Sequence, residues 1–150
     1  METKSLISYG KKTDMAMKTW VQVVKSYNKF ANQEIKYFSE HNLTFIQFKV
    51  LEVLYHRGDL NIGAITKLTM STPGNITVVV KNLKRDGWIT SLPDPEDKRA
   101  SILSITPKGK DKMKSLFPLH AKNIHDYMDV LTEEELDTLY SLLRKVYKVK

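Results

Sequence analysis

Residues 71–105 read STPGNITVVVKNLKRDGWITSLPDPEDKRASILSI. Hydroxyl side chains followed by Pro73 are typical of a helix start, because proline fits the first helical turn. The apolar residues that follow recur at helical spacing, which predicts a helix that runs to about Asp86. Two β-prone runs come next, residues 88–91 and 100–105, separated by a polar, turn-rich segment. The stretch therefore predicts a helix followed by a β-hairpin with a charged tip.

Three more helices are predicted before this stretch. Apolar residues recur in steps of three and four over residues 14–39, which indicates one long first helix with an apolar stripe. Thr44 and Gln47 form a capping box that starts a second helix, at about residues 44–56. Asn61 can cap a short third helix. Helices two to four then form a helix-turn-helix, and the hairpin after them is its wing.

Two further helices are predicted after the hairpin. A threonine and a proline at residues 106–107 open a long helix, which we expect Pro118 to interrupt and kink. Thr132 and Glu135 form a second capping box, which starts the last helix. Its apolar stripe comprises Leu139, Tyr140, Leu143, Val146 and Tyr147.

The predicted fold class is mainly α with a small β-hairpin wing, in one domain over residues 1–150. Residues 44–105 form the winged helix-turn-helix DNA-binding lobe. Residues 1–40 and 107–150 carry long amphipathic helices, whose apolar stripes exceed what a lobe of about 60 residues can bury. We therefore expect these flanking segments to be the dimerisation helices of a homodimer.

Composition narrows the functional classes. The net charge is +7, with an excess of basic residues between Lys67 and Lys110, and this favours an anionic partner. The absence of cysteine excludes disulfides, thiolate metal sites and cysteine redox sensing. Residues 1–12 do not resemble a signal peptide, and no apolar run approaches the roughly 18 residues of a membrane span. We expect a cytoplasmic protein with no membrane partner.

The outer face of the fourth helix combines amides, cations and an aliphatic group, which suit the major groove of double-stranded DNA. Hydroxyl groups at the helix start can receive a phosphate. The wing can place Arg99 near a minor groove, with Asp97 in position to brace it. The alternative interpretation is a solvated helix face and a solvated turn. The predicted DNA-binding residues are Ser71, Thr72, Asn75, Thr77, Val78, Lys81, Asn82, Lys84, Arg85, Lys98 and Arg99.

No pattern predicts catalytic residues, a metal site or a cofactor. His120 and His125 are five residues apart, rather than the four of a helical metal pair, so surface or pocket-lining roles are favoured for the histidines. The sequence has no glycine-rich phosphate loop. An enzyme would need a convergent cluster of titratable groups, and the charged cluster that is visible lies on the exposed wing. We therefore expect a protein that is not an enzyme.

Four segments resemble the MarR (multiple antibiotic resistance regulator) family of winged-helix regulators. Residues 94–100 and 103–109, DPEDKRA and LSITPKG, are similar to its wing signature, Asp-x-Arg followed by Leu-Thr-x-x-Gly. Residues 43–51 resemble its second-helix opening, and residues 71–77 resemble the recognition helix of some members. The family often has arginine where this sequence has Val78. The resemblance implies a homodimer that binds palindromic operators, usually as a repressor. Many members of the family release DNA when they bind aromatic or phenolic ligands.

The resemblance also implies a ligand pocket where the first helix meets the DNA-binding lobe, with Trp20, Tyr27, Phe38 and His41 as candidate ligand-binding residues. Core packing is the alternative for these aromatics. The favoured function is a DNA-binding transcriptional regulator, a dimeric repressor of a palindromic operator that a small aromatic ligand releases. The alternative is a winged-helix protein-protein interaction module without sequence-specific DNA binding. Exposed large apolar groups on the fourth helix would favour protein docking, whereas lysine and arginine favour DNA.

Overall fold

The structure, a computed structural model that describes residues 7–97 and 99–149, is mainly helical with a small antiparallel sheet. This confirms the predicted fold class. The chain divides into two compact units, one ending at Asn42 and the other beginning at Leu43. In chain order the elements are α1 (Lys11–Glu40), α2 (Phe45–Arg57), β1 (Leu60–Asn61), α3 (Ile62–Leu68), α4 (Pro73–Arg85), β2 (Ile89–Pro93), β3 (Ser101–Ile105), α5 (Pro107–Met128) and α6 (Glu133–Tyr147).

Side-chain caps start the five helices after α1 where the sequence predicts. Thr44 and Gln47 form the expected capping box: the Gln47 N–H donates to Thr44 Oγ1 at 3.2 Å, and the Thr44 N–H donates to Gln47 Oε1 at 2.9 Å. Asn61 caps α3, Thr72 caps α4, and a box that begins at Thr132 starts α6. Each cap provides an acceptor for an N–H group that has no partner within its helix.

The first unit is dominated by the long helix α1. Its first turn is held by Asp14, which accepts hydrogen bonds from the Ser8 hydroxyl and from the Tyr9 N–H at 2.9 Å. These two hydrogen bonds stabilise the carboxylate and lower the pKa of Asp14, with the Ser8 contact the larger cause. The helix matches the one predicted over residues 14–39, with a few more residues at its start.

The core of the second unit forms where α2, α4, α5 and the sheet meet. Phe48, Leu51 and Leu54 of α2 are almost completely buried, as are Ile76 and Leu83 of α4. Further buried apolar residues in this unit are Leu43, Val50, Ile65, Val79, Val80, Ile89, Leu103, Ile105, Met113 and Leu116. The predicted inner stripe of the fourth helix is therefore the side of α4 that packs into the core.

The sheet has the strand order β1-β3-β2 and is antiparallel throughout. The predicted hairpin is confirmed as β2 and β3, with Ile89 opposite Ile105 and Pro93 opposite Ser101. Strand β2 extends two residues beyond the predicted end, and its proline is tolerated because β2 is an edge strand. Strand β1 was not predicted, since two residues carry no periodicity. Its Leu60 pairs with Leu103, which lies 43 positions later in the sequence.

The C-terminal helices differ from expectation at one point. Helix α5 continues through Pro118 to Met128, so the predicted interruption is wrong, whereas the predicted kink stays a prediction. A proline inside a helix removes one hydrogen-bond donor without always ending the helix. Within residues 7–97 and 99–149, no helix is long and apolar enough to cross a membrane.

A close backbone contact joins α4, the wing and α5. The Thr106 hydroxyl donates to the Gly87 carbonyl at 2.7 Å, and the Thr106 N–H donates to the Trp88 carbonyl at 3.1 Å. One turn later, a Cβ atom added to Gly109 would lie 2.2 Å from the Trp88 oxygen and 2.7 Å from a side-chain carbon of Ile105. Only glycine fits there, which gives a physical reason for the Thr-x-x-Gly pattern of residues 106–109.

We predict that Gly109→Ala lowers the free energy of unfolding by about 2–3 kcal/mol, because backbone atoms must shift to admit the methyl group. Chemical denaturation followed by circular dichroism measures this change. Gly63→Ala is the matched control, since its added methyl group would meet Asn61 Oδ1 at an ordinary 3.5 Å. Equal stability of the two variants would contradict the prediction.

Candidate nucleic-acid interface

The start of α4 is fixed by the turn that precedes it. The Lys49 side chain of α2 donates to the Thr69 carbonyl at 3.0 Å, and the buried Thr69 hydroxyl donates to the Ile65 carbonyl at 2.8 Å. Met70 follows in the left-handed region at φ 53°, and the Ser71 N–H then donates to the Thr66 carbonyl at 3.1 Å. These bonds end α3 and hold the first turn of α4 relative to α2.

The exposed face of α4 presents small polar and aliphatic groups in its first two turns. Asn75 Nδ2 donates to Ser71 Oγ at 3.1 Å, so the amide is held by a side chain of the preceding turn. The Thr77 hydroxyl donates to the Pro73 carbonyl at 2.8 Å. Thr72 caps the helix, and Val78 is exposed. The predicted residues of this part of α4 therefore lie together on one accessible surface.

The second half of α4 carries the cations. Lys81 and Lys84 are exposed and, among the described residues, are not paired with a carboxylate, while Asn82 is half-buried. Arg85 instead forms a two-point ion pair with Asp86, at 2.9 and 3.3 Å. This hydrogen bonding is the main cause that raises the pKa of Arg85 and lowers the pKa of Asp86. The side chain of Arg85 is thus already engaged, which the sequence did not reveal.

The wing tip is ordered by two aspartates that accept backbone hydrogen bonds. Asp94 Oδ1 accepts from the Glu96 N–H at 2.9 Å, and Asp97 Oδ1 accepts from the Arg99 N–H at 2.9 Å. Asp97 therefore braces the turn through the backbone of Arg99, and the Arg99 side chain remains exposed. Lys98, also predicted to contact DNA, lies outside the described residues.

The candidate ligand residues have different environments. Trp20 and Tyr27 are exposed, at 66% and 61%, whereas Phe38 is fully buried. His41 is half-buried, and its Nδ1 lies 2.8 Å from the Tyr37 carbonyl oxygen. The pocket that the sequence analysis assigns to these residues stays a prediction.

His56 and His120 of the second unit pack against aromatic rings. His120 is buried against the Phe48 ring, 4.6 Å between ring centroids, and its Nε2 lies 3.9 Å from Glu52. His56 packs against the Phe117 ring. Among residues 7–97 and 99–149, no group of three or more histidine, aspartate or glutamate side chains is arranged to hold a metal ion.

Sequence reasoning missed a surface groove of about 400 Å³ beside α4. Ile62 and Met70 provide apolar walls, and Lys67 adds a cation. The groove also includes Ser71 and Thr77, so it borders the surface that was predicted to bind DNA. No local signal marks it, because it forms only when α3 and α4 pack together.

Known proteins share this sequence pattern and fold. A family model described as MarR family matches residues 43–101. The HTH-type transcriptional regulator MhqR of Bacillus subtilis is 31% identical over 134 residues, which cover 89% of this chain and 92% of MhqR.

Two solved structures show the same fold at lower identity. A mutant MarR from Escherichia coli complexed with operator DNA aligns with a TM-score of 0.79 at 23% identity, over 91% of this chain and 99% of that chain. BpsR of Bordetella bronchiseptica, whose DNA binding is regulated by 6-hydroxynicotinic acid, aligns with a TM-score of 0.78 at 22% identity, over 86% of this chain and 92% of that chain.

The Asp97 contact leads to a test of the wing. Asp97→Ala removes the acceptor for the Arg99 N–H, so hydrogen exchange at that amide should accelerate about fivefold, as expected for a bond worth about 1 kcal/mol. Asp97→Asn keeps an acceptor oxygen and should retain most of the protection. Glu96→Ala is the control, since the Glu96 backbone, not its side chain, makes the hydrogen bond to Asp94. Unchanged exchange in Asp97→Ala, measured by NMR, would show that the carboxylate does not brace the turn.

Proposed function

Because this chain belongs to the MarR family of DNA-binding transcriptional regulators, we propose that it is a homodimeric repressor of a palindromic operator, released by a small aromatic ligand. The observation that carries the proposal is that α4 has one buried apolar face and one exposed polar face. Ile76 and Leu83 anchor one side in the core, and the other side presents an amide and two lysines at a fixed orientation. A helix of this kind fits the major groove of B-DNA.

Four of the predicted residues have side chains suited to a particular DNA group. Asn75 can pair with adenine through two hydrogen bonds, and Lys81 can reach guanine. Lys84 provides a charge for backbone phosphates, and Arg99 provides one for the minor groove. The remaining proposed DNA contacts are Ser71, Thr72, Thr77, Val78, Asn82, Arg85 and Lys98. Arg85 would reach DNA only by leaving Asp86 or by bringing this ion pair to the phosphate backbone.

The proposed homodimer is supported by the surface of α6. None of residues 133–147, all within the described range, is buried. Tyr140 and Val146 are exposed at 61% and 73%, and Leu142 and Leu143 at 57% and 44%. An amphipathic helix with an exposed apolar stripe requires a partner surface, and a two-fold axis lets a second copy provide the same surface in return.

The proposed ligand is a small aromatic acid or phenol. The regulator of BpsR, 6-hydroxynicotinic acid, belongs to this chemical class. The aromatic residues Trp20, Tyr27 and Phe38, with His41 as the polar group, are the proposed contacts. The groove beside α4 is a second candidate, because a molecule bound there would compete with DNA for Ser71 and Thr77.

The DNA-binding proposal is tested with an operator selected from a random DNA pool by the full chain. Asn75→Ala should change base preference at one position by about 1–3 kcal/mol, because it removes a base contact. Lys84→Ala should weaken all sequences alike and lower the salt slope by about one, because it removes a phosphate contact. Lys122→Ala is the control, since this lysine pairs with Asp126 on α5. Binding that is insensitive to salt, or a uniform loss in both α4 variants, would contradict the assignment.

In the same assay 4-hydroxybenzoate should reduce the affinity.

The dimer proposal is tested by Leu143→Asp. A carboxylate in an apolar interface costs several kcal/mol, so the variant should be monomeric at micromolar concentration in analytical ultracentrifugation. Leu92→Asp is the matched control, because Leu92 is similarly exposed but lies on the wing. A dimeric Leu143→Asp protein, or a monomeric parent chain, would exclude α6 from the interface.

A further inference from the structure

Gly74 lies in the first turn of α4, where neither the packing nor the backbone conformation of the protein requires a glycine. A Cβ atom added at this position would meet nothing within 4 Å. Its backbone is outside the left-handed region, which only Gly10, Gly58 and Gly87 occupy among the described glycines. Glycine is less favourable than alanine in a helix. The protein therefore gains no stability from Gly74, and the free space lies on the outer surface.

Val78 lies four residues later on the same face of α4, one helical turn away. Its side chain is 57% exposed. The other exposed side chains of α4 beyond Pro73 and Gly74 are polar or charged: Asn75, Thr77, Lys81, Lys84 and Arg85. Gly74 and Val78 thus form a narrow apolar strip with open access, flanked by Asn75 on one side and Lys81 on the other.

We propose that the Gly74–Val78 strip reads thymine: Val78 contacts the 5-methyl group in the major groove, and Gly74 leaves the room that lets the base edge approach. Thymine is the DNA base that presents a methyl group in this groove, and aliphatic side chains recognise it by apolar contact. The flanking groups fit the same assignment, since an amide and an ammonium group can bind neighbouring bases or phosphates. This proposal rests on the proposed function, because it specifies what α4 recognises.

The decisive experiment replaces single thymines by uracil in an operator that the full chain selects from a random pool. Uracil lacks only the methyl group, so all hydrogen bonds of the base pair are kept. Fluorescence anisotropy should show about a fourfold loss of affinity at the contacted thymine, the value expected for one methyl-sized apolar contact. Val78→Ala should bind the thymine and uracil operators equally at that position. Val130→Ala, a matched change at an exposed valine between α5 and α6, should keep the full sensitivity.

Gly74→Ala provides the second readout. The added methyl group meets open space within the protein, so the unfolding midpoint should stay the same or rise. DNA affinity should nevertheless fall on the order of tenfold, because the methyl group occupies the space needed by the base edge. A purely structural role for Gly74 would lower stability instead, and that outcome would overturn this part of the proposal.

The outcomes separate this inference from the proposed function. If the parent chain selects an operator and binds it in a salt-dependent way, but no thymine-to-uracil replacement weakens binding, the inference fails and the proposed function stands. The same holds if Val78→Ala keeps the full sensitivity to uracil. If the parent chain selects no DNA sequence, both fail.

Discussion

Gly109 lies so close to the backbone of Trp88 that any side chain at this position would overlap the carbonyl oxygen, and the contact joins three elements at one point. Helix α4 ends just before Gly87, the wing begins after Trp88, and α5 starts from Thr106. Because Thr106 hydrogen bonds to both Gly87 and Trp88, a shift of α5 would pull on the helix end and on the base of the wing together. The relative placement of α4 and the wing therefore depends on a residue in neither of them.

The charged side chains of α4 and of the wing differ in how they are held. The lysines of α4 are accessible, whereas Arg85 is held by Asp86. On the wing, Asp97 uses its carboxylate on the backbone, which shapes the turn and leaves the Arg99 guanidinium exposed. Asp94 and Asp97 of the wing tip thus act as internal acceptors for backbone N–H groups.

The apolar stripe of α6 is not buried by the rest of the described chain. A capping box and an acidic first turn start this helix, and they stabilise it locally whatever it packs against. Leu139, Leu142 and Leu143 nevertheless remain exposed, and Tyr140 accepts a hydrogen bond from Arg144 of the same helix at 3.2 Å. The sequence signal for the helix and the absence of buried residues in it are both explained if its partner surface belongs to a second copy, as proposed above.

The sequence by itself determined the helices, their caps, the hairpin and the buried stripe of α4, because those signals join residues that are close in the chain. It also placed the candidate interface on α4 and the wing. Only the tertiary structure decided the pairing of β1 with β3, the groove beside α4, the contact at Gly109 and the path of α5 through Pro118. The strand pairing, the groove and the Gly109 contact depend on packing between segments that are distant in the chain. Periodicity and capping patterns involve neighbouring residues and do not indicate a partner many residues away. The structure also decided the ion pair between Arg85 and Asp86. Adjacent charged side chains can either pair or point apart, and the backbone conformation at the end of α4 determines which of the two occurs.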